Sequence, residues 1–168
     1  AALGKPKLVL GISGGLDSTH AALVAVQALY LNGQTPSDLV CITMPGLGTS
    51  ETTRENAEAL CSHLGACFEE VSVADESLNI LAAIRHPCAD GAQNVEALVN
   101  RLRSDPSQGD ITIENVQARL RTLILMSIAN RDHGLVVGTG DLSEKALGWS
   151  TYAGDQISMY DVNAGIPK

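Results

Sequence analysis

The sequence predicts an α/β fold, a doubly wound and mainly parallel sheet flanked by helices. Short apolar runs alternate along the chain with longer helical segments, which is the order of elements that such a sheet requires. Apolar residues make up 45% of the 168 residues, enough for one domain of ordinary size to bury a core. Aromatic residues are only 3%, so the core must be built from Leu, Ile, Val and Ala.

Four apolar runs are predicted to be strands, and the first and fourth are continuous enough to be buried on both faces. The four runs cover residues 8–12, 39–44, 67–73 and 135–138. Helices are predicted between and after them. They cover residues 18–31, 52–64, 76–85, 95–103 and 112–130.

Three local features refine this scheme. The Ala-rich helix at 18–31 is apolar on most sides, which predicts deep packing. The next helix is predicted to start at a capping box, with Thr52 as N-cap and Glu55 three residues later, and to end at Gly65. Residues 141–168 are polar and rich in glycine, which is typical of a ligand loop.

Charge and cysteine content exclude several kinds of partner. Eleven basic against nineteen acidic residues give a net charge of −8, which argues against nucleic acid and anionic membranes as partners. The longest apolar run, 21–31, contains Gln27 and is far shorter than the roughly 20 residues of a membrane span. No signal-peptide pattern opens the chain. Four cysteines without a C-x-x-C pair predict small buried thiols in a reducing compartment, hence the cytoplasm.

The strongest motif lies between the first strand and the first helix. Its adjacent glycines allow a tight turn with inward-pointing amides, and the helix start adds unpaired amides and a positive dipole end. Asp17 suits such an anion site if Mg²⁺ sits between its carboxylate and phosphate oxygens. Taken alone, the motif is equally consistent with a plain glycine turn and an N-cap residue. It comprises Gly11, Ile12, Ser13, Gly14, Gly15, Leu16, Asp17 and Ser18.

Three further segments carry polar side chains suited to a ligand, at residues 114–121, 138–152 and 161–168. Thr139 and Glu144 follow the fourth strand, at the sheet edge where open α/β sheets bind ligands. From the residues alone, 114–121 could also be a solvated helix face, Glu144 a surface residue and Trp149 a structural anchor.

Together these four segments resemble the NAD synthetases, most of all the synthetase domain of the glutamine-dependent type, within the N-type ATP pyrophosphatase superfamily. That superfamily has an adenine nucleotide alpha hydrolase-like fold. The resemblance covers nearly the whole chain and is weakest over residues 75–110. It implies that 1–168 is one synthetase domain, truncated at its C-terminus and lacking the nitrilase-like glutaminase domain.

The implied reaction is the ATP-dependent amidation of deamido-NAD to NAD⁺ through an adenylated intermediate, with release of AMP and pyrophosphate. ATP and Mg²⁺ are the implied co-substrate and cofactor, and ammonia would come from a glutaminase domain or subunit. A homo-oligomer, dimer or larger, is also implied. Two alternatives stay open: another adenylating amidotransferase resembling GMP synthetase, or a truncated nucleotide-binding fragment without activity.

The resemblance also implies roles for individual residues. Asp17 and Ser18 are the implied catalytic residues, and Asp17 with Glu144 would hold Mg²⁺. ATP would contact the loop at 11–18 together with Met44, Thr139 and Lys168. Deamido-NAD would contact Asn115, Arg119, Glu144, Trp149 and Tyr152. Ammonia-dependent relatives carry a lysine at the position of Tyr152 and an aspartate near Met159, so this chain fits the glutamine-dependent group better.

Overall fold

The computed structural model describes residues 4–48 and 51–168, and it contains one sheet of five parallel strands. Their order across the sheet is β3-β2-β1-β4-β5. The strands are β1 (Lys7–Gly11), β2 (Leu39–Thr43), β3 (Cys67–Glu70), β4 (Gly134–Gly138) and β5 (Tyr160–Asp161). The predicted fold class is therefore confirmed.

The central strand β1 pairs with β2 on one side and β4 on the other, so that Leu10 lies opposite both Cys41 and Val137. The chain first runs outward from β1 to β3 and then returns to β4 on the other side of β1. This reversal makes the carboxyl ends of β1 and β4 the switch point of the sheet, where such folds bind ligands.

Six α-helices connect the strands in the described part of the chain. They are α1 (Leu16–Leu31), α2 (Glu51–Leu64), α3 (Ala74–Ala83), α4 (Val95–Ser104), α5 (Ile111–Arg131) and α6 (Leu142–Leu147). Five were predicted, with ends that differ by a few residues. The sixth, together with β5, lies in the segment predicted as a ligand loop, so that prediction was too simple.

The two faces of the sheet bury separate apolar clusters. On one face, Leu10 and Cys41 pack against Ala21, Ala25 and Leu29 of α1. On the other face, a second cluster joins the sheet to α5; it includes Val9, Val40, Ile42, Leu120 and Ile128. Helices cover both faces because parallel strands must be shielded from water on both sides.

Two helix predictions need correction. Helix α1 packs through one face only, since Leu23, Tyr30 and Leu31 are exposed. Its buried alanines are Ala21, Ala22 and Ala25. Helix α2 begins at Glu51, so Thr52 lies inside it and is not its N-cap. Gly65 does end α2, with a positive φ of 72° that suits glycine.

All four cysteines are free thiols, as predicted, but only three are buried; Cys67 is exposed on β3 and donates a hydrogen bond to the Ser37 carbonyl. Its exposure follows from its position on an edge strand. Of the helices in the described residues, none has both the length and the apolar character needed to cross a bilayer.

Candidate functional site

The loop between β1 and α1 has the form of an anion cradle. Gly14 has a φ of +77°, and a Cβ there would overlap the Thr53 carbonyl oxygen, so only glycine fits. Gly15 is the N-cap of α1, and no side chain caps the helix start. Within the described residues, the amides of Gly14, Leu16 and Asp17 donate to no protein acceptor. The loop therefore offers several amides to an anion.

Two serines brace this loop from within. The Ser18 hydroxyl, almost fully buried, donates to the Gly15 carbonyl and accepts a 3.3 Å bond from the Ser13 amide. The Ser13 hydroxyl accepts a similarly long bond from the Gly15 amide. Both bonds are near the outer limit of hydrogen-bond length, so a stronger acceptor such as phosphate can compete for these amides.

A second segment, after β4, meets the loop from the other side of the switch point. Asp141 is the N-cap of α6, and its Oδ1 accepts the Glu144 amide at 2.7 Å in a reciprocal capping box. This geometry brings three carboxylates together. Oxygens of Asp17, Asp141 and Glu144 all lie within 4.8 Å of one another.

The amine of Lys168 lies among these carboxylates. Its Nζ is 2.6 Å from Asp17 Oδ2, 3.8 Å from Glu144 Oε1 and 3.9 Å from Asp141 Oδ2. The hydrogen bond to Asp17, together with the surrounding negative charge, raises the pKa of Lys168 above its usual value. The backbone amide of Lys168 also donates to the Ser143 hydroxyl, which fixes the end of the chain beside α6.

Asn163 joins the two segments. Its side chain is 3% exposed, and its Nδ2 donates to the carbonyls of Asp17 and Thr139, each at 3.0 Å. Its Oδ1 is 2.7 Å from Nδ1 of His20. Because the amide nitrogen is already the donor, His20 must donate through Nδ1. The pair thus ties the start of α1 to the turn after β4.

A cavity of about 200 Å³ opens beside this cluster and is lined by residues from α1, by the N-cap of α6 and by residues within 163–168. Its walls include Asp17, His20, Asp141, Asn163 and Lys168. Carboxylate oxygens, such as those of Asp17 and Asp141, are the ligands that Mg²⁺ prefers. Asp141 Oδ2 is buried without a hydrogen-bond partner in the described residues, so the donor set fits a divalent cation.

A second cavity, of about 430 Å³, lies between α5 and the segment after α6. Asn115 and Trp149 both line it, and the Thr151 hydroxyl donates to Asn115 Oδ1 at 2.9 Å. Trp149 is 77% exposed, and its amide donates to the Glu144 carbonyl after Gly148 ends the helix. Helix α6 therefore connects the carboxylate cluster to the indole in this cavity.

Arg119 and Tyr152, the other two residues predicted to contact deamido-NAD, do not line the second cavity but follow its lining residues Asn115 and Thr151 along the chain. The Arg119 Nε donates to the Tyr152 carbonyl at 3.1 Å, so these residues are neighbours. Arg119 and Tyr152 are both exposed residues.

Met44 lies apart from both cavities, in the core at the end of β2. It is 8% exposed, and its carbonyl accepts a bond from Arg121 Nε. Burial of Arg121 lowers the pKa of its guanidinium. Gln117 supports the same loop by accepting the Leu47 amide. Arg121 and Gln117 therefore shape the end of β2.

Some of the residues predicted to form the site lie together in the structure. The structure brings Asp17, Glu144 and Lys168 together, and separately Asn115 with Trp149 and Arg119 with Tyr152. It adds Asp141, His20 and Asn163, which the sequence reasoning did not assign to the site. The D-x-x-E capping pattern at 141–144 and the three-residue spacing from Asp17 to His20 could have indicated two of them.

A parallel sheet with a glycine-rich amide cradle and facing carboxylates at its switch point defines an α/β nucleotide-binding domain. The NAD synthase family profile matches residues 2–164. The chain therefore belongs to the NAD synthase family.

Relatives of the chain carry the same family name. The glutamine-dependent NAD(+) synthetases of Mycobacterium leprae and Mycobacterium bovis are 46% and 48% identical to it over 168 residues. The match covers 99% of this chain but only 23% of each of those proteins. The chain thus spans about a quarter of the length of these relatives.

A solved structure shares the fold. The glutamine-dependent NAD⁺ synthetase from Acinetobacter baumannii, solved in complex with ADP, aligns with a TM-score of 0.79 and 26% identity. The alignment covers 99% of this chain and 27% of that one. The NH3-dependent synthetase of Campylobacter jejuni, 23% identical with a TM-score of 0.72, has the same fold.

Proposed function

We propose that this chain is the synthetase domain of a protein that converts deamido-NAD to NAD⁺ using ATP and ammonia. The observation that carries the proposal is the meeting of Asp17 and Glu144, 127 positions apart in sequence, with oxygens within 4.8 Å beside a glycine amide cradle. Relatives named glutamine-dependent NAD(+) synthetase, nearly half identical over the whole chain, support the choice of substrates.

The chain's residues have distinct tasks in this reaction. The amides of Gly14 and Gly15 and the hydroxyl of Ser18 bind the departing pyrophosphate, and the Lys168 amine pairs with its negative charge. Asp17 and Glu144 hold Mg²⁺, which when bound offsets charge on the leaving group. No side chain forms a covalent intermediate, so the rate comes from positioning and charge stabilisation.

The second cavity is proposed to hold deamido-NAD. Its walls combine the Asn115 amide and the flat Trp149 indole, which suit ribose oxygens and an aromatic ring respectively. The guanidinium of Arg119, an exposed residue, supplies a charge for the phosphates or the carboxylate. Tyr152 lies beside Arg119.

The proposed reaction consists of two displacement steps. A carboxylate oxygen of the nicotinate attacks the α-phosphorus of ATP, and the bond to pyrophosphate breaks. Ammonia then attacks the acyl carbon, AMP leaves with that carboxylate oxygen, and a proton is lost from nitrogen. A glutaminase domain or subunit is the proposed ammonia source. We also propose a homodimer or larger assembly, which the exposed apolar side chains of Leu147, Trp149 and Tyr152 support. A cytoplasmic location is proposed as well, supported by the four free thiols.

Isotope tracing tests this proposal. The protein is supplied with ATP, Mg²⁺, ¹⁵N-ammonium and deamido-NAD in which both carboxylate oxygens are ¹⁸O. The masses of the products are measured by mass spectrometry. Labelled NAD⁺, with one ¹⁸O in AMP and equimolar pyrophosphate, is expected. Asp17→Asn and Glu144→Gln should each lose about 100-fold or more in turnover, whereas the remote capping variant Asp38→Asn should not.

Two outcomes would contradict the proposal. Pyrophosphate release with xanthosine monophosphate but not with deamido-NAD would indicate a GMP synthetase-like enzyme. Binding of ATP without any pyrophosphate release, with both substrates present, would indicate a nucleotide-binding domain without activity.

A further inference from the structure

We propose that Asp141 is a third carboxylate ligand of the divalent-cation site, and that the Lys168 amine occupies this site whenever the cation is absent. This inference rests on the proposed function, because it concerns the same cation. It adds Asp141 as a further ligand of the cation and the Lys168 amine as a group that competes with the cation for the same oxygens.

Asp141 carries a buried oxygen without a hydrogen-bond partner in the described part of the chain. The residue is 3% exposed, and its Oδ1 caps the Glu144 amide, but its Oδ2 accepts no hydrogen bond within the described residues. Burying a carboxylate oxygen without a partner is unfavourable. A cation beside Oδ2 would remove that cost, and Oδ2 lies 3.9 Å from the Lys168 amine, which also contacts Asp17 Oδ2 and Glu144 Oε1.

Three carboxylates form a stronger cation site than two. Asp17 comes from the start of α1, whereas Asp141 and Glu144 come from the first turn of α6, so the oxygens approach from two directions. All three lie within 4.8 Å of one another, with formal charges that sum to −3. Because affinity for hard cations rises with the number of charged oxygen ligands, Asp141 strengthens the site even without nucleotide.

The amine of Lys168 offsets part of this negative charge. Its Nζ is within 4.0 Å of all three carboxylates and forms its shortest contact, 2.6 Å, with Asp17 Oδ2. An ammonium group and a divalent cation repel each other and use the same oxygens, so they bind one at a time. The side chain of Lys168 is 51% exposed, which leaves it free to swing away when the cation arrives. Cation binding thereby releases this amine for phosphate.

Direct titration with Mn²⁺, without nucleotide, tests both parts of the proposal. Free Mn²⁺ is followed by electron paramagnetic resonance in the wild-type protein and in single variants. Asp141→Asn keeps the capping oxygen but removes the charge, and should weaken Mn²⁺ binding about 10-fold or more. Lys168→Gln removes the competitor and should tighten binding about 10-fold. If the wild-type protein binds too weakly to measure, Asp141→Asn is compared in the Lys168→Gln background.

Matched controls separate specific from general charge effects. Lys145→Gln removes a nearby lysine that pairs with Asp161 outside the cluster, and Asp38→Asn alters a capping aspartate elsewhere. Both should leave Mn²⁺ affinity within about twofold of wild type, as expected of charges screened by solvent. Asp141→Ser, which also caps a helix, replaces Asp141→Asn if that variant has a lowered melting temperature.

The outcomes distinguish this inference from the proposed function. If Asp17→Asn abolishes Mn²⁺ binding but Asp141→Asn leaves it unchanged, the cation site stands and Asp141 is not a ligand. If Lys168→Gln binds no more tightly than Lys145→Gln, the amine is not a competitor. If Asp17→Asn, Glu144→Gln and Asp141→Asn all bind like the wild-type protein, the cation site itself is wrong.

Discussion

The two halves of the candidate site are built in different ways. The half after β1 is local, because residues 11–18 supply a turn, amides and a carboxylate within one strand-to-helix connection. The half after β4 is assembled from distant pieces, since Asp141, Asn163 and Lys168 meet only when the chain returns to β1. Local geometry therefore fixes the phosphate cradle, while long-range contacts fix what faces it.

The largest expected effect is a break in the local half. Gly14→Ala places a Cβ against the Thr53 carbonyl oxygen at a φ of +77°. We expect unfolding free energy to fall by about 2 kcal/mol or more and ATP affinity to fall by about 100-fold. Chemical denaturation and calorimetric titration measure the two quantities.

Gly15→Ala is the matched variant. Its φ is −85°, and the nearest atom, Ser13 Oγ, is 3.3 Å from the added Cβ. Its stability should change by less than about 1 kcal/mol. Equal destabilisation by the two substitutions would show that the fold does not require a special conformation at Gly14.

The next effect concerns the long-range half. Asn163→Ala removes a buried amide that donates to the carbonyls of Asp17 and Thr139 and accepts from His20. Losing these bonds should cost about 2–3 kcal/mol of unfolding free energy. Because the two halves then separate, Mn²⁺ affinity should fall as well. Denaturant melts and metal titrations on the same samples provide the measurements.

Asn79→Ala is the control, because the one side-chain hydrogen bond of this exposed residue in the described part of the chain is a 3.5 Å bond to Glu76. It should change stability by no more than about 0.5 kcal/mol. The role of Asn163 would be refuted by a loss no larger than this. A double-mutant cycle between His20 and Asn163 should also give a coupling of about 1 kcal/mol.

The smallest effect lies outside both halves, where His86 Nε2 bonds to Asp110, the N-cap of α5. That hydrogen bond, foremost among several, lowers the pKa of Asp110 below its ordinary 3.8. A depressed carboxyl pKa gives stability that is present above pH 3.8 and is lost as pH falls through the lower folded-state value. His86→Ala should therefore move the acid-unfolding midpoint to higher pH.

Circular dichroism between pH 5 and pH 2 follows this acid transition. His63→Ala is the control, because within the described residues this exposed side chain makes one hydrogen bond, to the Ala59 carbonyl. Identical midpoints for the two histidine variants would rule out the His86 bond as the cause. Neither change should alter Mn²⁺ binding, since neither residue belongs to the carboxylate cluster or lines the cavity beside it.

The sequence predicted most of the fold because its signals are local. Four strands were visible as apolar runs and five helices as longer periodic segments, and each of these patterns lies within one element. Strand β5 has two residues and pairs with β4 only through Val137–Tyr160 and Gly138–Asp161. Two residues are too few to show an alternating pattern of apolar and polar side chains, so this strand could not be predicted from the sequence.

In the site, too, residues with a local sequence signal were predicted, and residues whose role depends on distant contacts were not. Asp17 was predicted from its place in the loop, and Glu144 from the resemblance of its segment. Asn163 was not, because its task depends on two carbonyls that are 146 and 24 positions away in the chain. The exposure of Leu23 and Leu31 on α1 was also missed, since composition does not tell which side of an apolar helix faces the sheet.

The most direct test of the account is a crystal structure of the protein with Mg²⁺ and pyrophosphate. We expect phosphate oxygens on the amides of Gly14 and Gly15, and a metal about 2.0–2.1 Å from oxygens of Asp17 and Glu144. We also expect Lys168 moved from Asp17 onto phosphate. Pyrophosphate bound elsewhere, with Lys168 still paired to Asp17 and an empty loop, would contradict these expectations.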